Sequence, residues 1–398
     1  MKNGLIIGLT LLMNLSVAAC SVNHDVLPDR LNADEYQRPG YVDQLFDRVQ
    51  FKQPEDLLSR DGQRHMQMLP AVGREDLHAQ VEGWTNVAQA CRSVDDFERD
   101  PLDRIAELAS QTRVLIINEA HDRPVHRYFI QRVAERFAPL GYRYFAAEAF
   151  DPDTFSNDAG FVYPLTNGGT YVNEPAFGRL VRLFMKLDYK LFAYDRRNVE
   201  TDHGLPLREQ VERREERQAD RLAELIERMP KDTRLLVHVD YSHAAEVPIY
   251  FFGEPLAWMA ARLAQKTGLD PLTIDQTDCI SGHHSISLSM PSPRHMPGQH
   301  DLVIAHPPLS FNQYRPEWRF MPGIQAVEVP EHLLSDHERT IVEARAWGEP
   351  IDAVPVDRIM LWPGESIALL LPKGVHRIDR FIEGSASVQS VRMDVGEL

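Results

Sequence analysis

Five apolar runs, VLIIN (114–118), YRYFAAE (142–148), YKLFAYD (189–195), RLLVHVD (234–240) and PLTID (271–275), each end in Asn, Glu or Asp, with helical stretches between them. In HRYFIQRVAERF, Phe129, Val133 and Phe137 recur at spacing four, and Asp122 and Pro124 suit a first helical turn. LAWMAARLAQKTG closes on Gly268, where a helix C-terminus favours a left-handed residue. The charge-dense run from Arg208 to Arg228 places opposite charges three or four apart and reads as an exposed helix face. Such alternation implies an α/β fold, a mostly parallel sheet with helices on both faces, expected over residues 86–285.

Past about residue 285 the texture changes to short β-like runs such as DLVIAH, TIVEARAW, SIALLLP and VQSVRMDV, separated by P-G and K-G turns. A C-terminal β-rich domain is therefore expected over 286–398. Residues 20–85, polar and punctuated by proline, read as a tether and wrapping segment. The first 19 residues carry one lysine and an apolar run too short to span a bilayer, the pattern of a secretory signal peptide. V-A-A-C ending at Cys20 resembles a lipobox, so Cys20 is the expected lipidation site and the membrane a partner through that anchor. Ser21 after it is similar to outer-membrane lipoproteins, which places the protein in the envelope, facing the periplasm.

Removing residues 1–19 takes away Lys2 and no acid, moving the formal charge from −16 to −17. Nucleic acid is excluded as an expected partner, since phosphate binding draws on clustered positive charge. Beyond Cys20 only Cys91 and Cys279 remain, and in an oxidising compartment they can pair or stay as separate buried thiols. No C-x-x-C or zinc-finger spacing occurs.

In open parallel sheets the carboxyl ends of the strands form the binding crevice. Glu119 and His121 follow the first strand, Glu148 closes the second, Asp195 and Arg196 follow the third, and His243 follows the fourth in DYSH. Asn118 and Asp240, good non-glycine occupants of a left-handed position, are expected to turn the chain so that His121 and His243 reach one rim. A helix beginning near Asp122 would direct its positive end there and favour neutral imidazoles. His238, inside a strand, reads as a hydrogen-bonded core histidine, and His283 and His284 as a solvated doublet. Tyr163, Tyr171 and Tyr241 could pack or stack on a flat ligand.

N-E-A-H-D, A-A-E after the next strand, R-E-E-R-Q-A-D-R-L and V-H-V-D-Y-S-H-A together resemble the Tiki/TraB, erythromycin-esterase and haem-uptake (ChaN-like) lipoprotein superfamily, over roughly residues 85–280. Asn118 and Asp240 stand where that group has glycine. The resemblance implies a hydrolase of amide or ester bonds in a small molecule or peptide. In its metal-dependent form His121 and His243 with Glu148 or Glu119 would hold a divalent ion. In its metal-free form His121 would be the general base, oriented by Glu119 or Glu148, with Arg196 or Arg214 and His243 facing the oxyanion. The same resemblance admits a haem- or metal-binding uptake lipoprotein without turnover, or a degenerate structural member.

Overall fold

The computed structural model describes residues 38–49, 68–85, 90–94, 100–155, 163–196 and 202–396. Cys20 and the signal segment lie outside the described residues. Seven helices are described: α1 Gly40–Arg48, α2 Glu75–Thr85, α3 Pro101–Ala109, α4 Pro124–Phe137, α5 Pro175–Lys186, α6 Leu207–Arg228 and α7 Met259–Thr267.

A seven-stranded sheet forms the larger unit. Its strands are β1 Val114–Glu119, β2 Tyr142–Ala147, β3 Lys190–Ala193, β4 Arg234–Asp240, β5 Leu272–Asp275, β6 Ser287–Ser289 and β7 Leu302–Ala305. They lie in the order β6-β7-β5-β1-β4-β2-β3, all neighbours parallel except the β6–β7 pair. The sheet is mixed but mostly parallel. Alternate β1 residues face opposite ways, as the two-residue strand period demands. Leu115 and Ile117 pack with Leu102, Phe129 and Leu180 of α3, α4 and α5, whereas Val114 and Ile116 pack with Leu222 and Leu263 of α6 and α7. Burial on both faces explains why the strands read as continuous apolar runs. Gly268 ends α7 at φ +66°, in the left-handed region its position suggested.

DLVIAH, which by texture belongs with the β-rich end, supplies β7 of this large sheet. The strands of the β-rich end are β8 Ile324–Val327, β9 Thr340–Ala346, β10 Asp357–Leu361, β11 Leu369–Pro372, β12 Gly374–Ile382 and β13 Val388–Val395. An antiparallel sheet β10-β9-β12-β13 and a β8–β11 pair make up this β-rich region. α1 covers one face of it, burying Val42, Leu45 and Phe46 against Ile341, Met360 and Phe381. Cys91 and Cys279 form a disulfide with Cα atoms 5.6 Å apart, beside a short parallel pairing of residues 90–91 with 280–281.

Two local expectations fail. Neither Asn118 nor Asp240 has positive φ: Asn118 continues the β1–β4 ladder opposite Val239, and Asp240 is extended at φ −92°. Asn118 is instead a buried connector. Its Nδ2 donates to Tyr241 O (2.9 Å) and Asp275 Oδ1 (2.7 Å), and its Oδ1 accepts from Gln276 N (2.7 Å).

Candidate functional site

β1 and β4 run parallel in adjacent positions, so their carboxyl ends emerge together, with Glu119 paired to Asp240 in register. Glu119 is fully buried and Asp240 partly so. Three residues beyond Asp240, a short 3-10 turn (Tyr241–Ala244) brings His243 back over the strand end. Both histidines therefore meet Asp240: His121 Nε2 lies 2.9 Å from Oδ2, and His243 Nε2 lies 2.7 Å from Oδ1. On the far side of each ring Nδ1 meets a buried glutamate, Glu119 Oε1 at 3.1 Å for His121 and Glu215 Oε2 at 2.8 Å for His243. The result is a chain of five groups, Glu119–His121–Asp240–His243–Glu215.

The glutamates are themselves fixed. Arg127 of α4 makes a fork to Glu119, Nε to Oε2 at 2.8 Å and Nη2 to Oε1 at 2.6 Å. Glu148, just past β2, accepts from the Asp240 amide at 2.9 Å and from Arg214 Nη2, and its Oε1 stands 3.7 Å from His243 Nε2. Arg214 of α6 also grips Asp195, with Nη2 2.7 Å from Oδ2. His121 stacks on Tyr171, ring centroids 3.6 Å apart and planes 16° apart, with Tyr241 at its edge. Glu148, Tyr171, Asp195 and Arg196 line a cleft of about 280 Å³ beside the cluster.

The charge state follows from this geometry. Burial alone would lower the His121 pKa, but the hydrogen bonds its ring donates to Asp240 and Glu119 outweigh burial and raise it from 6.5 to about 9. His243 is likewise opposed by burial and raised well above 6.5 by Glu148, Glu215 and Asp240. Burial works against ionisation of Asp240 and Glu119 too, yet the cations around them hold both carboxyls well below their usual range. The expectation of neutral imidazoles is thus corrected. A helix N-terminus is worth about 0.3–1 kcal/mol, whereas the rise of the His121 pKa to about 9 corresponds to about 3 kcal/mol.

His121, Glu119, Glu148, His243 and Arg214 come together at one rim. Arg196 does not join them: its exposed guanidinium is 3.9 Å from Asp153 at the cleft mouth. His238 is buried behind the site, with Nε2 2.9 Å from Glu119 Oε2 but without hydrogen-bond geometry. His283 and His284 are exposed. The sequence pattern does not mark Asp240 or Glu215 as site residues, although both hold a histidine. Asp240 reads as a turn former, and Glu215 is one acid among many in α6. A signal for Glu215 exists only once α6 is placed against β4.

Among donor groups, Glu148, Asp240 and His243 bring one ligand atom each to within 4.8 Å of one another. Glu215 on Nδ1 leaves Nε2 of His243 as the ligand atom, the arrangement metal-binding histidines usually show. This donor set fits a divalent ion, with the Arg214 guanidinium on Glu148 opposing it.

Fold and rim define an α/β protein with a histidine–carboxylate cluster at the carboxyl edge of its parallel strands. No protein-family model and no curated protein sequence matches the chain. Among solved structures, the type III effector HopBA1 is similar at 13% identity and TM-score 0.37, over 56% of this chain and 99% of its own. ChaN of Campylobacter jejuni, described with cofacial haem binding, is similar at 11% identity and TM-score 0.34, over 51% and 91%. RRSP, a MARTX toxin effector domain from Vibrio vulnificus CMCP6, is similar at 14% identity and TM-score 0.32, over 60% and 46%. Likenesses this slight carry no argument about chemistry.

Proposed function

We propose that the chain is a hydrolase of ester or amide bonds, with His121 as general base and Arg214 and His243 as the cationic groups facing the developing oxyanion. The observation that carries this reading is the single carboxylate of Asp240 shared by the Nε2 atoms of both histidines. It ties two imidazoles to one point at the edge of a cleft. The His121 proton, with its pKa raised to about 9, can leave in an accessible pH range. His243, held between three carboxylates, stays charged and suits stabilisation of negative charge. Glu119, locked by Arg127, orients the His121 ring. Glu148 positions Arg214 and the Asp240 backbone.

A second reading keeps the same residues and adds a divalent ion on Glu148, Asp240 and His243, favoured by the closeness of their ligand atoms. Bound there, it would supply Lewis acidity toward a carbonyl oxygen. Haem uptake has less support at this rim, because the cleft beside the cluster is lined by the carboxylates of Glu148, Asp151, Asp153 and Asp195 rather than by a broad apolar face. The envelope location and the anchor at Cys20 rest on the sequence.

The test is turnover of a panel of chromogenic esters and peptide amides by the mature protein, before and after chelation. His121→Ala should lower kcat/KM by about 10²–10⁴-fold, the usual loss of a general base. Wild-type turnover that survived in His121→Ala would end the general-base mechanism, and activity lost on chelation would select the metal-assisted form.

A further inference from the structure

β5 ends at Asp275, and after the disulfide and β6 the chain returns past that strand end at His295 and His300. His295 Nε2 and His300 Nδ1 face each other at 2.7 Å. Asp275 Oδ2 lies 3.6 Å from the first and 3.9 Å from the second. The three side chains expose only 3%, 2% and 4% of their surface, so these atoms converge away from solvent. None of them belongs to the rim cluster described above.

The carboxylate is divided in its duties. Oδ1 accepts from Asn118 Nδ2 (2.7 Å), Thr277 N (2.8 Å) and Thr277 Oγ1 (2.8 Å). Oδ2 is turned toward the two rings at distances longer than hydrogen bonds. A neutral histidine pair sharing one proton would satisfy the two facing nitrogens and bring no donor to Oδ2. A tetrahedral ion with bonds of about 2.0–2.1 Å spaces its ligand atoms by about 3.3–3.4 Å. The observed 2.7, 3.6 and 3.9 Å bracket that spacing. The three bonds on Oδ1 are the outer support that orients a ligating carboxylate.

We propose that Asp275, His295 and His300 form a divalent-cation site, with two imidazole nitrogens and one carboxylate oxygen suited to Zn²⁺. An ion there fastens the 290–300 loop to the end of β5. Through Asn118, which holds both Asp275 and the Tyr241 carbonyl, it also braces the neighbouring β4 turn that carries His243. The proposal is independent of the hydrolase reading.

The experiment uses the full mature protein, stripped with a chelator, dialysed against Zn²⁺ and analysed for bound metal, with folding checked by circular dichroism. His295→Ala and His300→Ala should each retain one zinc equivalent per chain fewer than wild type, while His243→Ala keeps that equivalent. Zn²⁺ should raise the Tm of wild type and of His243→Ala, but should not raise that of the double variant His243→Ala/His300→Ala. His300→Gln, closer in shape, provides the same comparison should the alanine variant not fold, and its zinc affinity should fall at least about 10-fold. Folded wild type that retains no zinc, or zinc content unchanged in His295→Ala and His300→Gln, would overturn the site and leave the pair a simple hydrogen bond.

Discussion

At the scale of single residues, Asp240 decides how the rim behaves. Its two oxygens serve two imidazoles, so removing its charge should lower the affinity of both rings for protons. In Asp240→Asn the His121 midpoint, followed by proton NMR of the ring, should fall from about 9 to below about 8, because an opposing charge at this range commonly moves a pKa by one to three. A midpoint still near 9 would mean that Glu119 alone sets it. The same linkage shapes stability. A histidine pKa raised on folding contributes stability that is full below about 6.5 and is lost as pH rises through about 9. The depressed carboxyls of Asp240 and Glu119 contribute above the ordinary carboxylate range and lose that contribution as pH falls. Activity should run opposite to the histidine term: with His121 as base, kcat/KM rises with pH toward about 9.

At the scale of elements, α5 shows how closely the two units fit. A methyl group on Gly178 would sit 2.5 Å from Val354 Cγ1 and 3.1 Å from its Cβ, and Val354 is fully buried. Alanine in a free helix would gain about 1 kcal/mol over glycine, but overpacking costs about 1–3 kcal/mol. Gly178→Ala should therefore lower the urea midpoint, and a raised midpoint would show that the Val354 segment yields easily. The elements themselves were largely legible. Burial on both faces left β1, β2, β4 and β5 as apolar runs, and the helix between β1 and β2 showed its stripe at Phe129, Val133 and Phe137. Pairing was not legible. Nothing local in DLVIAH says that it joins β5 rather than the β-rich strands, and nothing in HMPGQH points back to Asp275 twenty residues earlier. Asn118 misled because its turn chemistry and its use as a buried connector call for the same carboxamide.

For the whole molecule, buried charge links the β-rich region to the rim. Arg319 holds Glu75 and Glu174, Glu174 caps α5 and holds Arg127, and Arg127 holds Glu119. Arg358 of β10 adds bonds to Asn173 in the loop before α5. The orientation of His121 thus depends on how the C-terminal region is seated. The disulfide acts on a different property, the chain's topology. Cys91 and Cys279, 188 residues apart, close β1 to β5 and every residue of the rim cluster into one covalent ring. Ring closure of this length removes unfolded-state freedom worth roughly 5 kcal/mol. It also makes a single backbone cut between the two cysteines harmless to covalent unity. A protease that nicks the exposed turn at Tyr250–Glu254 should yield one full-length band on a non-reducing gel and two fragments only after a thiol is added. Fragments that separate without reductant would show that the ring is open, whereas a protein that stays whole would be a scaffold that tolerates being opened anywhere along its own circumference.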